Sequence, residues 1–98
     1  MKHFLLTYTL APDYLGRRPA LRAEQLALAQ AAADRGELLL GGAFEAAEEA
    51  MLLFAGEDPG AAEAFARSDP YVKDGLVTAW HVREWLTVVG EGAAAPVA

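Results

Sequence analysis

The chain contains no cysteine, which excludes a disulfide framework, a thiol nucleophile and a thiolate metal site. Basic side chains are also few, with 8 Lys and Arg against 14 Asp and Glu, and the net charge is −6. That balance argues against a nucleic-acid partner, because phosphate binding needs clustered basic residues. The apolar runs are far shorter than a membrane span, and the N-terminus lacks a signal-peptide pattern. We therefore expect a cytoplasmic protein with neither a nucleic-acid nor a membrane partner.

Motifs that hold cofactors or nucleophiles are absent as well. The sequence has no phosphate-cradling glycine motif, no serine nucleophile signature and no cofactor fingerprint, so no cofactor is predicted. What is present is apolar: 54% of the 98 residues are hydrophobic, enough for the core of one domain. Heavy use of Ala, Gly, Arg and Leu is typical of a GC-rich bacterial genome.

Hydrophobic periodicity and turn signals divide the chain into six elements. Four segments have the composition and alternation of strands, at residues 2–10, 37–43, 50–55 and 76–86. Two segments predict helices, residues 19–35 and 59–67; Pro19 stands in the first turn of one, and Asp58 precedes the other as a cap. We interpret residues 14–18 as an irregular basic connection. In the last strand, alternation places Val77, His81 and Trp85 on the face opposite Trp80.

The order β-α-β-β-α-β matches the split βαβ motif of the ferredoxin-like α+β class. Right-handed crossovers then predict a four-stranded antiparallel sheet with both helices on one face. The opposite face carries too many apolar side chains to be left in water, so we expect a second copy to cover it in a sheet-to-sheet homodimer. The domain should span residues 1–88, with residues 89–98 as a flexible tail.

Polar groups concentrate at residues 68–71, between the second helix and the last strand. Asp69 precedes Pro70, which disfavours the helical conformation for Asp69 and suits its side chain to cap the turn, and Gly75 suits the exit from that turn. Two interpretations stay open. Asp69 is either a structural cap or a carboxylate at the rim of a pocket.

The two histidines, His3 and His81, lie on neighbouring predicted strands. Each is interpreted as a partly buried or interface side chain, with the alternative that His81 belongs to the ligand-binding residues of the pocket and serves as a general base. Joint metal binding is not expected, because no cysteine and no nearby carboxylate pattern completes a site.

The basic cluster consists of Arg17, Arg18 and Arg22. It suits a ligand carboxylate or phosphate, with surface compensation or an Arg22–Asp69 pair as the alternatives. Four aromatic residues either wall an apolar pocket or belong to the core and the dimer interface, namely Tyr8, Tyr71, Trp80 and Trp85.

Several segments together resemble a YciI-like (YCII-related) domain over residues 2–86. They are LRAEQL at residues 21–26, GELLLGG at 36–42, EAFA at 63–66, SDPY at 68–71 and the Gly75-Leu76 pair. The resemblance implies a small ferredoxin-like protein of the dimeric α/β-barrel superfamily. It also implies a pocket in which a histidine of the first helix faces the aspartate of the Asp-Pro-Tyr turn.

The sequence departs from that family at the histidine, whose position, counted back from Gly36, is Gln25. Glutamine hydrogen-bonds but does not titrate near neutral pH. The resemblance implies lyase or isomerase chemistry without a metal on a small anionic or cyclic organic ligand. Asp69 would move the proton, Arg22 would orient the ligand, Gln25 would hydrogen-bond it and Tyr71 would close the pocket. The alternative is a non-catalytic ligand-binding or assembly module that has lost the dyad.

Overall fold

The computed structural model describes residues 1–97, within which the chain forms four strands and three helices. In chain order they are β1 (Lys2–Leu10), α1 (Tyr14–Asp34), β2 (Leu38–Ala43), β3 (Glu49–Gly56), α2 (Gly60–Ser68), α3 (Pro70–Lys73) and β4 (Val77–Trp85). The strands form one antiparallel sheet in the order β2-β3-β1-β4. This arrangement confirms the predicted ferredoxin-like α+β fold.

The core lies between the sheet and the helices, and β1 is its centre. Phe4, Leu6 and Tyr8 alternate along β1, are at most 5% exposed and pack with buried residues of the helices such as Phe65 of α2. On the other face of the same strand, Thr7 is also buried. Because β1 pairs with both β3 and β4, both of its edges are hydrogen-bonded, and it lies at the centre of the sheet as predicted.

Helix α1 begins at Tyr14 rather than near Pro19, so the prediction of an irregular connection at residues 14–18 is wrong. Pro19 lies inside the helix, where it removes one intrahelical donor. The additional turn is held by tertiary packing: Tyr14 is buried and meets Tyr71 edge-on, with ring centroids 5.6 Å apart. Burial of this aromatic ring outweighs the local helix-breaking signals of Gly16 and Pro19.

The register of β4 corrects the predicted placement of Val77. The β1–β4 pairing shifts between Thr9 and Leu10, so Val77 pairs with Leu10 and is buried in the core rather than on the far face. A bulge reverses the alternation expected of an uninterrupted strand. Beyond it the alternation holds, and His81 pairs with Thr7 on the face away from the helices.

The connection from α2 to β4 contains the short helix α3, where the sequence predicted only a capped turn. Helix α2 begins at Gly60, one residue later than predicted, and the Asp58 carboxylate accepts a hydrogen bond from the Gly60 amide at 2.8 Å. After α3, Gly75 has a φ of 77°, a left-handed conformation that suits glycine.

The face of the sheet opposite the helices, hereafter the open face, is apolar. Leu5, Met51 and Leu53 lie at its centre, half-buried, and more exposed apolar side chains surround them, namely Leu40, Phe44 and Trp85. After β4, backbone hydrogen bonds join residues 95 and 97 to residues 87 and 88, so this segment folds back on itself.

None of the helices in residues 1–97 has the length and hydropathy that a membrane crossing requires.

Candidate functional site

Asp69 is completely buried, and its two carboxylate oxygens have different partners. Oδ1 accepts a hydrogen bond from the backbone amide of Tyr71 at 2.9 Å and so caps α3. Oδ2 accepts from the phenol of Tyr8 at 2.8 Å and from Nε2 of Gln25 at 3.4 Å. One oxygen therefore holds the backbone, while the other is directed to two side chains from distant parts of the chain.

Three elements bring these groups together. Tyr8 lies on the core-facing side of β1, and Gln25 lies on the face of α1 that covers the sheet. Asp69 stands between α2 and α3 with φ −69° and ψ 122°, the extended conformation that Pro70 imposes on the residue before it. The helix break between α2 and α3 thus turns the Asp69 side chain into the core.

Burial controls the protonation of this pair. Removal from water raises the pKa of the Asp69 carboxyl above its ordinary 3.8, and hydrogen bonds from Tyr8, the Tyr71 amide and Gln25 offset the rise only in part. Burial also raises the pKa of the Tyr8 phenol strongly, and the nearby Asp69 charge adds to the effect. Tyr8 therefore keeps its proton and donates a hydrogen bond to a carboxylate that is more basic than a solvated one.

No arginine neutralises Asp69. The two ion pairs within residues 1–97 are Arg17–Asp13 and Arg35–Glu37, so the predicted alternative of an Arg22–Asp69 pair is wrong. The side chains that contact Oδ2 of Asp69 are both uncharged, Tyr8 and Gln25.

A cavity of about 240 Å³ lies beside this cluster, between α1, the first three strands and α3. Its polar wall is formed by six side chains, Tyr8, Tyr14, Arg18, Arg22, Gln25 and Tyr71, and much of the rest is aliphatic or glycine, including Leu52 and Gly41. Asp69 itself does not line the cavity. Tyr8 and Gln25 stand between the carboxylate and the space where a ligand could sit.

Aromatic and basic side chains form one end of the cavity. Cζ of Arg18 lies 5.7 Å from the ring centroid of Tyr14, and Tyr14 in turn meets the Tyr71 ring at an interplanar angle of 87°. Burial, and then Tyr14, raise the pKa of the Tyr71 phenol above its ordinary 10.0, while the charges of Arg22 and Arg18 act in the opposite direction. Both arginines line the same cavity as Tyr71.

The structure brings together most of the side chains selected from the sequence. Arg22, Gln25 and Tyr71 line one cavity, and Asp69 lies directly behind it. His81 does not join them: it is exposed on the open face, separated from the cavity by the sheet. The prediction that His81 binds a ligand in this pocket is therefore wrong, because the alternation along β4 places its side chain on the open face.

The remaining candidates divide between the core and the open face. His3 is buried, with Nδ1 2.7 Å from Oγ1 of Thr87. Trp80 packs against Arg67, and Trp85 lies on the open face. Residues 1–97 contain no group of three or more histidine, aspartate or glutamate side chains placed to hold a metal ion.

Sequence reasoning named Tyr8 as a possible pocket wall and Arg18 as part of a basic cluster, but it predicted neither the Tyr8–Asp69 hydrogen bond nor a place for Tyr14 in the cavity wall. Tyr8 offered the clearest signal, because a tyrosine on the core-facing side of a central strand buries a hydroxyl that needs a partner. Tyr14 gave no such signal, since it precedes the segment that the local pattern marks as helical.

The chain matches a known family over most of its length. The family model of the YCII-related domain matches residues 1–86. Among solved structures, the chain is similar to TftG, the 5-chloro-2-hydroxyhydroquinone dehydrochlorinase of Burkholderia phenoliruptrix, in its complex with 2,5-dihydroxybenzoquinone. The TM-score is 0.71 at 23% identity, over 85% of this chain and 92% of TftG.

Two further solved structures have the same fold at lower identity. Protein Atu4242 from Agrobacterium tumefaciens gives a TM-score of 0.58 at 16% identity, over 96% of this chain and 98% of that one. Rv0793 from Mycobacterium tuberculosis gives 0.56 at 16% identity, over 93% and 98% of the two chains. Curated proteins include no significant sequence match to this chain.

Proposed function

Because the chain belongs to the YCII-related domain family, we propose that it is an enzyme of lyase or isomerase type acting on a small organic ligand in the cavity beside Tyr8 and Gln25. The observation that carries this proposal is the contact between Tyr8 and Asp69. A fully buried carboxylate without an arginine partner accepts a hydrogen bond from a phenol that lines the cavity. Such a group has the environment expected of a general base.

The geometry supports proton transfer in two linked movements. A proton leaves the ligand for the phenolic oxygen of Tyr8, as the Tyr8 proton moves along the existing 2.8 Å hydrogen bond to Oδ2 of Asp69. Asp69 ends as a neutral acid, and the reverse movement returns the proton to the ligand or its product. General acid–base catalysis of this kind contributes about 10²- to 10⁴-fold to a rate.

The other cavity side chains have supporting roles in this proposal. Gln25 holds Oδ2 in place with its amide donor, Arg22 orients the ligand and Tyr71 closes one wall. None of these roles requires the histidine that the family carries at the position of Gln25.

The similarity to TftG supports the class of reaction. Dehydrochlorination removes a proton and a chloride from the substrate, so it needs a group that accepts a proton beside the bound ligand. The TftG ligand, 2,5-dihydroxybenzoquinone, is a small cyclic compound, the kind of ligand proposed for this cavity.

Chloride release from 5-chloro-2-hydroxyhydroquinone tests the proposal. The wild-type chain should release chloride faster than buffer. Tyr8→Phe and Asp69→Asn should each lower kcat by about 10²-fold, because each breaks the path of the proton. Asp34→Asn is the matched control: it removes an exposed carboxylate of α1 that does not line the cavity, so kcat should stay within a few-fold.

The non-catalytic alternative has one observation in its favour, since Gln25 occupies the histidine position and its amide already donates to Asp69. Wild-type chloride release no faster than buffer would support that ligand-binding role for this substrate class. Equal rates in the wild type and Tyr8→Phe would reject the proton path through Tyr8.

We also propose that the chain forms a homodimer through the open face. The apolar side chains gathered there, with Leu40 73% exposed and Trp85 49% exposed, form a patch that a second copy would remove from water. The helices cover only one face of the sheet, so the patch on the other face has no layer of the same chain packed against it within residues 1–97.

A further inference from the structure

The cavity wall has a charge opposite to that of the protein. The chain has a net charge of −6, yet the residues that line the cavity include Arg18 and Arg22 and no aspartate or glutamate. The one nearby carboxylate, Asp69, is sealed behind Tyr8 and Gln25. A ligand in the cavity therefore meets positive charge that no carboxylate of the wall neutralises.

The two arginines lie on one stripe of α1. Arg18, Arg22 and Gln25 are spaced at i, i+4 and i+7, which places them on the same face of the helix above the cavity. Like charges at this spacing repel, so the arrangement disfavours the empty site. An anion between the two guanidinium groups would reverse that effect.

Arg18 also carries a donor that is not used within residues 1–97. Its Nε is buried and has no hydrogen-bond partner, whereas buried donors in proteins are nearly always satisfied. The guanidinium is held above the Tyr14 ring, so its position is fixed by packing. A planar carboxylate is the acceptor that such a fork binds with two parallel hydrogen bonds.

We propose that the cavity binds a ring-sized organic carboxylate, with the carboxylate on Arg18 and Arg22 and the reacting end at Tyr8. This inference rests on the proposed function and adds a preferred anchoring group, a carboxylate, to its class of small cyclic ligands. The Tyr14 and Tyr71 rings and the aliphatic wall supply the apolar contacts for the ring. Position on the arginines then sets which atom of the ligand faces the phenol of Tyr8.

Equilibrium binding of benzoate, followed by side-chain NMR of the arginine Nε–H groups and by calorimetry, tests this inference. Benzoate should shift the Arg18 Nε–H resonance, and it should bind at least about tenfold more tightly than benzamide, its neutral counterpart. Inorganic phosphate should bind more weakly than benzoate, because it lacks the ring.

Substitutions on α1 test whether Arg18 binds the ligand carboxylate. Arg18→Gln should weaken benzoate binding by about tenfold or more, and Arg18→Lys, which keeps the charge but loses the fork, should recover only part of it. Arg17→Gln is the matched control. Arg17 does not line the cavity and instead contacts Asp13 and the Asp74 carbonyl, so benzoate affinity should change less than about twofold.

Equal affinities for benzoate and benzamide, an unmoved Arg18 Nε–H resonance, or phosphate binding tighter than benzoate would each overturn the inference. So would an Arg18→Gln variant that remains folded and binds benzoate as the wild type does. These results are separable from turnover, because Tyr8→Phe should lose chloride release and still bind benzoate. Loss of benzoate recognition with chloride release intact would reject the carboxylate subsite alone.

Discussion

At the scale of single residues, Asp69 is the cap that one of the two sequence interpretations predicted, and its second oxygen contacts Tyr8 instead of lining the cavity. Its Oδ1 caps α3 through the Tyr71 amide, and its Oδ2 receives the phenol of Tyr8. A capping side chain usually stands in solvent, but this one is completely buried. The cap fixes the carboxylate, and burial makes it more basic, so the structural role prepares the proposed chemical one.

The raised pKa of Asp69 predicts a particular pH dependence of stability. Because the folded protein holds the Asp69 proton to higher pH than the unfolded chain does, the contribution of this group to stability is greatest below pH 3.8 and declines as pH rises through the folded pKa. Carboxyl ¹³C NMR should show Asp69 titrating above 3.8. When the free energy of unfolding is measured by urea at several pH values, Asp69→Asn should remove the part of its pH dependence that Asp69 contributes.

The same variant separates the cap from the charge. In Asp69→Asn the new side-chain amide can still cap α3, whereas Asp69→Ala loses the cap and leaves the buried Tyr8 phenol without its acceptor. We expect Asp69→Ala to lower the free energy of unfolding by about 2–4 kcal/mol, and Asp69→Asn to cost clearly less. An NMR titration of the Asp69 carboxyl at or below 3.8 would contradict the proposed environment.

At the scale of elements, tertiary contacts override local signals at the start of α1. Gly16 and Pro19 are poor helix residues, yet the helix passes through both and carries Tyr14 into the core. This extension also places Arg18 on the cavity. The sequence pattern placed the start of α1 at residue 19, so it missed the turn that supplies Tyr14 and Arg18 to the cavity wall.

Two glycines have opposite expected effects on stability when replaced by alanine. Gly16→Ala should raise the free energy of unfolding by about 0.4–1 kcal/mol, because Gly16 is helical and a Cβ there meets nothing within 4 Å. Gly75→Ala should lower it by about 1 kcal/mol or more, because φ is +77°. Chemical denaturation measures both. Stabilisation by Gly75→Ala, or destabilisation by Gly16→Ala, would contradict these backbone conformations.

At the scale of the whole molecule, the sheet has one face covered by helices and one that is open and apolar. An open face of this composition is a liability for a monomer, and a self-complementary dimer is the simplest way to bury it. The cavity lies on the opposite face of the sheet from this patch. The two surfaces meet at β2, where residues 41–43 line both the cavity and the patch, so the proposed dimer interface reaches the edge of the proposed ligand site.

Sedimentation of surface variants tests the proposed dimer. The wild type should sediment with twice the chain mass. Leu40→Lys, which places a charge on the open face, should shift the population toward monomer. Leu15→Lys is the control: Leu15 is also exposed, at 54%, but lies on α1. A wild-type monomer, or equal effects of the two variants, would reject an open-face dimer.

Local sequence patterns were enough to predict the order of the four strands and the two longer helices, the ferredoxin-like sheet, the cap at Asp69 and the apolar open face. These follow from periodicity and turn chemistry, which act over a few residues. The family resemblance added the expectation of a pocket between Gln25 and Asp69; Gln25 lines the cavity, and Asp69 lies behind it.

Tertiary structure was needed for the contacts that define the site. It pairs Asp69 with Tyr8, 61 residues away, leaves Asp69 without an Arg22 partner and places His81 on the far face. Those contacts depend on strand register and on the rotation of α1 over the sheet, which long-range packing sets and local sequence does not encode.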